Sequence, residues 1–458
     1  MSDMTRHHPP SARTSIIMRL RSLLPALLVA AVLACDSTLA TEPADRIPSD
    51  RAIVDAGTAH AALAGAYDAL QSLDYYGNSL PMLGDLSADN LEHVGTFQYL
   101  GSVDRNQLQA DNTATTGAWE AIYDAIARAN LLIDKVPGLT DMDAEDRDQV
   151  LGEAYFLRAL HYHNLVKLWG DVPMPLTTVA SAEEAAQFTR TPADQVYTQI
   201  LADLTQAEGL MTDDAQTRQA SLGAVRALRA RVLLYTGDWA GALAAADAVE
   251  GMGYTLAGSF SDLFTEDGTD TPEDIFRVSF SPQEYNELGY YYLFDGRYEA
   301  APTASLDAAF EADDARHGWT MQEDDGDYEG TKFPTTVGGE DFHVIRLAEV
   351  MLIRAEALAR LDRLDEAVTE YDKLRERAGL DPHVLDVDVT TQQDVLDAIW
   401  QERRVELALE GDRWPDLVRT GRAAAVLGIP AERTFQLLYP IPERERVTAP
   451  GLGQNTGY

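Results

Sequence analysis

Carboxylates, histidines and one cysteine are the side chains of this sequence whose chemistry could serve catalysis or metal binding. The 458 residues include 75 Asp and Glu, 9 His and a single cysteine, Cys35. Glycoside hydrolysis requires two carboxylates on either side of the bond that is cleaved. Because acids are so abundant, neighbours such as Asp324 and Asp325 are expected by chance and say little about function.

No sequence motif organises these groups into an active site. The HExxH, GxSxG, P-loop and dinucleotide-binding patterns are absent from the sequence. His161 and His163 are separated by one residue on a predicted helix, so they point to different faces, and His161 is interpreted as a core histidine. We therefore predict no catalytic residue and no cofactor. A surface glycoside hydrolase stays open as an alternative that a carboxylate pair inside a pocket would favour.

A metal site is not predicted either. One cysteine excludes both an intramolecular disulfide and a cysteine metal cluster. The acidic run from Glu323 to Asp327 offers hard oxygen ligands that suit calcium. It lacks the spacing of an EF-hand loop, so we interpret it as a solvated turn.

Two segments without helical periodicity, 74–115 and 253–342, contain the best candidate residues for a site that binds a ligand without catalysing a reaction. Irregular segments of this length tend to be functional. Sugars are held by aromatic side chains that stack on the ring and by planar polar groups that bind its hydroxyls. The predicted ligand-binding residues are Trp319, Tyr75, Tyr76, Asp89, Asn90, Phe97, Tyr99, Tyr290 and Tyr292. The second segment also holds Tyr285, Tyr291, Phe294, Tyr298 and Tyr328.

Trp319 is the leading candidate for a sugar-stacking platform. The other five tryptophans occupy predicted helices or motif positions and are expected in the core, whereas Trp319 lies in an irregular segment. The alternative is a loop residue that packs on the scaffold. The run 290–294 alternates like a strand, so about half of it is predicted to be buried.

The net charge of −39 argues against nucleic acid as a partner, because phosphates would be repelled. It is compatible with a saline habitat and equally with an ordinary acidic, solvated surface.

The N-terminus has the features of an export signal. Arg19 and Arg21 precede an apolar run of 12 residues, Leu23 to Ala34, which is too short to span a bilayer of ~30 Å as a helix. Val32-Leu33-Ala34-Cys35 resembles the lipobox of bacterial lipoproteins, which implies lipidation of Cys35 and removal of residues 1–34. Residues 35–50 are interpreted as a flexible tether. The true start is Met1 or Met18.

The remaining chain, 51–458, is predicted to be mainly α-helical. Amphipathic periodicity is clear in 55–73, 116–135, 147–169, 192–210 and in the two hairpins 221–250 and 343–379. The hairpins resemble tetratricopeptide units, with small and aromatic residues on facing helices and a tight polar turn. The first four helices could form two more pairs, which gives four pairs with long irregular insertions. Generic helical hairpins are the alternative interpretation.

Several stretches, taken in order, resemble one family. They are GDLSADN (84–90), WEAIYDAIARANLLIDKVP (119–137), EAYFLRALHYHNLVKLWGDVPMP (153–175), QERRVELALEGDRWPDLVRTG (401–421) and YPIPERERVTAPGLGQNTGY (439–458). Together with the lipobox they resemble the SusD/RagB family of nutrient-binding outer-membrane lipoproteins, over nearly the whole mature chain. In the stretch 401–421, Arg403, Arg404 and Arg413 stand near Glu402, Glu406 and Glu410, which suggests charge-paired, partly buried arginines.

The resemblance implies four tetratricopeptide-like helix pairs that support an irregular ligand-binding face. It further implies a non-enzymatic, lipid-anchored protein on the exterior of the outer membrane. Such a protein binds oligosaccharides, or sometimes peptides, and passes them to a TonB-dependent, SusC-like barrel. The family's ligand contacts vary in the loops, so none transfers by motif. The alternative from a different class is a tetratricopeptide adaptor whose ligand is a peptide or protein.

Overall fold

Helices dominate the computed structural model, which describes residues 49–212, 217–266 and 268–458. In chain order the helices are α1 (Ser49–Ala52), α2 (Ala56–Asp68), α3 (Ser79–Leu86), α4 (Gln98–Asp104), α5 (Thr113–Lys135), α6 (Ala144–Trp169), α7 (Ala182–Ala185), α8 (Ala193–Leu210), α9 (Leu222–Thr236), α10 (Trp239–Glu250), α11 (Leu288–Tyr292), α12 (Ala304–Asp307), α13 (His317–Thr320), α14 (Leu347–Arg360), α15 (Leu364–Arg377), α16 (Gln392–Glu406), α17 (Arg413–Arg419), α18 (Ala423–Val426) and α19 (Glu443–Thr448). The strands are β1 (Leu91–His93), β2 (Asp274–Val278), β3 (Ala300–Pro302), β4 (Met321–Asp324), β5 (Asp327–Gly330) and β6 (Phe342–Arg346). The prediction of a mainly α fold is confirmed. The predicted signal and lipidation site, Cys35, lie outside the described residues.

The long helices of the unit 53–458 pack as four pairs: α2 with α5, α6 with α8, α9 with α10, and α14 with α15. Both predicted hairpins are present. The first turns at Gly237, whose φ of 74° suits glycine, and Asp238 caps α10 by accepting a hydrogen bond from Gly241 N at 2.9 Å. The second turns at Asp362. The tetratricopeptide-like geometry of the pairs stays a prediction.

Tryptophans and small residues fill the core between the pairs. Trp119 and Trp169 meet edge to face with ring centroids 5.4 Å apart, and Trp400 and Trp414 are also buried, as predicted. Trp239 is only half-buried and lies beneath the Arg360 guanidinium. None of the described helices is both long and apolar enough to cross a bilayer.

The two insertions pair with each other through a small sheet. Strand β1 of the first runs antiparallel to β3 of the second, with Leu91 opposite Pro302. Strands β2 and β6 pair across the second insertion, and β4 and β5 form a hairpin whose turn carries Asp325 and Gly326. The acidic run 323–327 is therefore the hairpin turn, as interpreted from the sequence.

The prediction of a strand-like run at 290–294 is wrong. Residues 288–292 form the short helix α11, which turns Leu288, Tyr291 and Tyr292 inward and leaves Tyr290 exposed. Helical spacing over so short a run cannot be distinguished from alternation by pattern alone.

A network of buried ion pairs joins α16 to the second insertion and to α15. Glu406 accepts hydrogen bonds from Arg346 at 2.6 Å and from Arg316 at 3.0 Å, and it also pairs with Arg377. Glu410 binds Arg346 at 2.8 Å and Lys332 at 2.9 Å. We call the three carboxylates and their partners the charged core: Glu402, Glu406, Glu410, Arg316, Lys332, Arg346 and Arg377. The arginines of the signature are charge-paired and buried as expected, but not with Glu402, Glu406 and Glu410. Arg403 pairs with Asp416 and Glu349, and Arg404 and Arg413 both pair with Asp89.

Candidate functional site

Aromatic side chains reach the surface along one edge of the paired insertions. Tyr290 is 39% exposed and Phe294 37%, while Phe97, Tyr99, Tyr298 and Tyr328 are half-buried. We call these six residues the aromatic strip. Phe97 stacks on Tyr99 with centroids 5.4 Å apart. Phe294 contacts Tyr298 at 4.9 Å, and the Tyr298 hydroxyl donates to Tyr328 O at 2.8 Å.

A buried carboxylate, Glu299, fixes the shape of the strip. It accepts hydrogen bonds from Thr96 N at 2.7 Å, Phe97 N at 2.8 Å and Arg297 Nε at 2.9 Å. Burial alone would raise the pKa of Glu299, but these hydrogen bonds outweigh it and lower the pKa below its ordinary value. The Arg297 guanidinium also lies 4.3 Å from the centre of the Phe97 ring. Glu299 thus ties the loop of one insertion to the strand of the other.

Polar groups accompany the rings at the Tyr99 end. The Tyr99 and Tyr291 hydroxyls are close enough to affect each other's pKa, and Asn78 and Tyr291 lower the pKa of Glu287. Burial and the neighbouring Asp74 carboxylate raise the pKa of Glu287. The Asn78 Oδ1 atom is buried and has no partner. This combination of rings, a carboxylate, an amide and phenols is what recognition of sugar hydroxyls requires.

Trp319 is 46% exposed and lies in α13, directly before the hairpin that carries Tyr328. Within the described chain its ring makes no aromatic contact with the strip. His317 and Tyr328 are joined more directly, because Asp307 binds His317 Nε2 at 2.8 Å and Tyr328 Oη at 3.3 Å. Trp319 therefore stands as an isolated exposed ring near one end of the strip's scaffold.

Four of the predicted ligand-binding residues are buried, which corrects their assignment to the binding face. Tyr75 and Tyr76 both accept hydrogen bonds from Asn164 Nδ2, at 2.9 and 2.8 Å, and the Tyr75 hydroxyl also contacts His161 Nδ1 at 2.8 Å. Tyr292 is fully buried. A side chain without exposed surface cannot stack on a sugar, so these residues stabilise the fold.

Asn90 and Asp89 are also structural. The Asn90 side chain donates to Asp85 at 2.7 Å and accepts from Arg404 at 3.0 Å. Asp89 forms a bidentate pair with Arg413 at 2.7 and 3.0 Å. The GDLSADN stretch is therefore fastened to the signature 401–421.

Asp85 lies at the centre of this junction and is fully buried. It accepts hydrogen bonds from Asn90 and from Gly411 N, each at 2.7 Å. Burial raises the pKa of Asp85 to about 7, despite the opposing effect of these two hydrogen bonds.

Three residues of the strip's framework were missed from the sequence: Glu287, Arg297 and Glu299. The pair Arg297 and Glu299, two residues apart beside aromatic residues, is a weak local signal. The partners of Glu299 at 96 and 97 are about two hundred residues away in the chain, at separations of 203 and 202, so no local pattern reveals them.

Other cavities are lined by residues outside the strip. One of about 680 Å³ is lined by both polar and apolar groups, among them Tyr67, Leu70, Arg218, Val278 and Glu284. A second, of about 230 Å³, is apolar and lies against α5. Asp324 and Asp325 are exposed at the hairpin turn and line neither cavity. In the described ranges, no group of three or more His, Cys, Asp or Glu side chains is placed to hold a metal ion.

Comparison with known proteins finds SusD-like proteins along most of the chain. The family model described as "SusD family" matches residues 324–431, and a second, "Starch-binding associating with outer membrane", matches residues 52–234. SusD-like protein P38 of Formosa agariphila is 27% identical over 93% of this chain and 96% of its own. The starch-binding protein SusD of Bacteroides thetaiotaomicron is 26% identical over 73% of this chain and 77% of its own.

Solved structures agree. A SusD superfamily protein from Bacteroides vulgatus has a TM-score of 0.80 at 22% identity, over 88% of this chain and 99% of its own, which shows the shared fold. A laminarin-binding SusD-like protein has a TM-score of 0.78 at 26% identity, over 89% of this chain and 100% of its own. The resemblance to the SusD/RagB family seen in the sequence is therefore confirmed by both family models and by these relatives.

Proposed function

We propose that this protein captures an oligosaccharide outside the cell on its aromatic strip and hands it to a SusC-like, TonB-dependent barrel without changing it chemically. Carbohydrate binding is supported at the level of the family, whose relatives include starch-binding and laminarin-binding proteins. The observation that carries the proposal for this chain is the strip itself. Exposed rings lie beside polar groups on the two insertions, on the side that is not committed to the charged core or to the junction with the signature.

The strip offers both halves of sugar recognition. Tyr290 and Phe294 expose ring surface that can stack on the apolar face of a pyranose. Glu287 and the Tyr99 hydroxyl offer acceptor and donor groups to the sugar hydroxyls at one end. Because Glu299 holds the loop that carries Phe97 and leads to Tyr99, this part of the surface is organised before ligand arrives, which reduces the entropy cost of binding.

The anchoring part of the proposal rests on the sequence. Lipidation at Cys35 would fasten the chain to the outer membrane, with residues 36–50 as a tether that faces the exterior. Replacing Cys35 with alanine should release the protein from the membrane fraction, and surface proteolysis of intact cells should degrade the wild type. Co-purification of a barrel from solubilised membranes tests the SusC-like partner.

The binding test is a calorimetric titration of the mature chain with starch- and laminarin-derived oligosaccharides and with a peptide mixture. Tyr290→Ala and Trp319→Ala should each weaken oligosaccharide binding about tenfold, equivalent to ~1.4 kcal/mol of lost stacking. Tyr285→Ala is the matched control, because Tyr285 is 45% exposed in the same insertion but lies outside the strip. Its affinity should equal that of the wild type.

The outcomes separate the hypotheses. Unchanged affinity in Tyr290→Ala would reject the strip as the binding surface, whereas unchanged affinity in Trp319→Ala would exclude only that residue, which lies outside the strip. Binding of peptides with no oligosaccharide binding would favour the adaptor alternative. Shortened oligosaccharides after prolonged incubation would contradict the proposal that the protein does no chemistry.

A further inference from the structure

One apolar cavity has an opening and a charged group that the proposed function does not use. It lies on α5, where Trp119, Tyr123, Ile126 and Asn130 recur at helical spacing and form one face of the helix. The opposite walls come from the segment 173–188 and from the C-terminal residues 445–452. This stripe of α5 is covered by loops and by the short helices α7 and α19, and the packing leaves a cavity of about 230 Å³.

The size and lining of this cavity suit a single aromatic ring. Engineered apolar cavities of about 150 Å³ bind benzene, and this one is larger. Its walls include the rings of Trp119, Tyr123 and Phe188 together with Pro173 and Val179. A surface of this composition disfavours a sugar, whose hydroxyls would lose hydrogen bonds to water.

Most polar groups at the cavity are already satisfied within the protein. The Tyr123 hydroxyl donates to Pro173 O at 2.7 Å, and Asn130 Nδ2 donates to Pro175 O at 2.9 Å. Asn130 Oδ1 accepts from Arg158 at 2.9 Å. These groups therefore leave little hydrogen-bonding capacity for a ligand.

Glu445 is different. Its carboxylate lines the cavity, is half-buried, and has no hydrogen-bond or ion-pair partner in the part of the chain that the structure describes. Of the two cations adjacent in sequence, Arg444 is paired with Glu120 at 3.0 Å, and Arg446 forms no ion pair with Glu445 in the described chain. Burial, followed by the Glu120 carboxylate, raises the pKa of Glu445, and Arg444 only partly offsets this. A cation bound beside the Glu445 carboxylate would offset both the burial of its charge and the repulsion from Glu120.

We propose that this cavity binds a small aromatic amine, with the ring between Trp119, Tyr123 and Phe188 and the ammonium group on Glu445. The ring supplies the apolar volume, and the ammonium group supplies the donor that the carboxylate lacks. The net charge of −39 favours a cation over an anion at any surface site. The inference does not rest on the proposed function, because no residue of the aromatic strip lines this cavity.

Three probes with the same ring test it by titration calorimetry on the mature chain: 2-phenylethylamine, 2-phenylethanol and phenylacetate. We expect the amine to bind about tenfold tighter than the alcohol, the gain of one hydrogen bond to a charged group, with phenylacetate weakest. Glu445→Gln should make amine and alcohol bind equally while ring binding persists.

A filling variant locates the site. Ala127 lines the cavity and is exposed on α5, so Ala127→Trp should abolish binding of the amine and the alcohol alike. Ala61→Trp is the control, since Ala61 is an exposed alanine on α2 that does not line the cavity. No amine binding in the wild type, or amine binding that survives Ala127→Trp, would overturn the proposal. Equal affinity for amine and phenylacetate would overturn the assignment of Glu445.

Discussion

The charged core is buried and holds the frame together, whereas the aromatic strip is partly exposed to solvent and is the surface proposed to bind the ligand. Glu406 is fully buried among three guanidinium groups, whereas Tyr290 and Phe294 keep more than a third of their surface exposed. A cluster of acids and arginines looks more like an active site in a sequence than scattered aromatic residues do. In the structure its groups are satisfied by one another, so they cannot turn towards a ligand. The cluster of charged groups therefore belongs to the frame, and the exposed rings form the surface that we propose binds the ligand.

Glu406 provides the strongest test of this contrast. Glu406→Gln leaves three buried guanidinium groups without their shared carboxylate, and breaking a buried ion pair costs about 3–5 kcal/mol. Arg377, Arg346 and Arg316 hold the pKa of Glu406 well below its ordinary value although burial opposes them. We expect a loss of unfolding free energy of this size in urea titrations, with unchanged oligosaccharide affinity where the protein still folds. Glu366→Gln, on the exposed face of α15, should leave stability unchanged.

A stability close to that of the wild type in Glu406→Gln would break the comparison, because the charged core would then not hold the frame together. Weakened oligosaccharide binding by a variant of full stability would also contradict the comparison, because the charged core would then take part in binding.

Asp85 sharpens the comparison through pH. Its pKa is about 7 in the folded protein against 3.8 in an unfolded chain, so the folded state holds the proton more tightly. Stability from this group is therefore full at low pH and is lost as the pH rises between these two values, by about 2–3 kcal/mol from pH 5 to pH 8. Asp85→Asn cannot ionise. The difference in unfolding free energy between wild type and variant should shift by that amount over this interval, in favour of the variant at the higher pH.

Parallel stability curves for wild type and Asp85→Asn across this range would show that Asp85 ionises without cost. The junction between GDLSADN and the signature would then be less tightly closed than the hydrogen bonds to Asn90 and Gly411 indicate.

The two regions also differ in how far the sequence could predict them. Helical spacing and turn residues such as Gly237 predicted the hairpin of α9 and α10, because those signals are local. That the signature's arginines would be charge-paired was foreseeable from their composition, but the main partner of Arg413, Asp89, lies 324 residues away in the chain. The insertions lack such signals. Tyr75 and Tyr76 look like surface aromatics until Asn164, nearly ninety residues away with separations of 89 and 88, takes both hydroxyls.

Long-range partners therefore decided which candidates were wrong. Asn90 and Tyr292 have the residue types of a binding site and the burial of a core, and only tertiary packing distinguishes the two. Phe97, Tyr99, Tyr290 and Trp319 reach the surface, and their role in binding stays a prediction. The short helix α11 escaped detection because five residues are too few for periodicity to be read.

Glu299 combines features of both regions, because it is a buried carboxylate that holds part of the exposed aromatic strip. A substitution at this position therefore tests both. Its two oxygens accept from Thr96 N, Phe97 N and Arg297, and glutamine offers only one acceptor oxygen. One oxygen, Oε2, accepts from both backbone amides, so the amide nitrogen of Glu299→Gln would face Arg297, and loss of this charge-assisted hydrogen bond should cost about 1–2 kcal/mol of unfolding free energy. The substitution should also weaken oligosaccharide binding about tenfold, because the loop carrying Phe97 is held less firmly in its binding conformation. Urea unfolding and calorimetric titration on the same preparation measure both effects. Loss of stability with full affinity would mean that the rings bind sugar without being organised beforehand, so that the strip is a set of independent contacts and not a preformed surface.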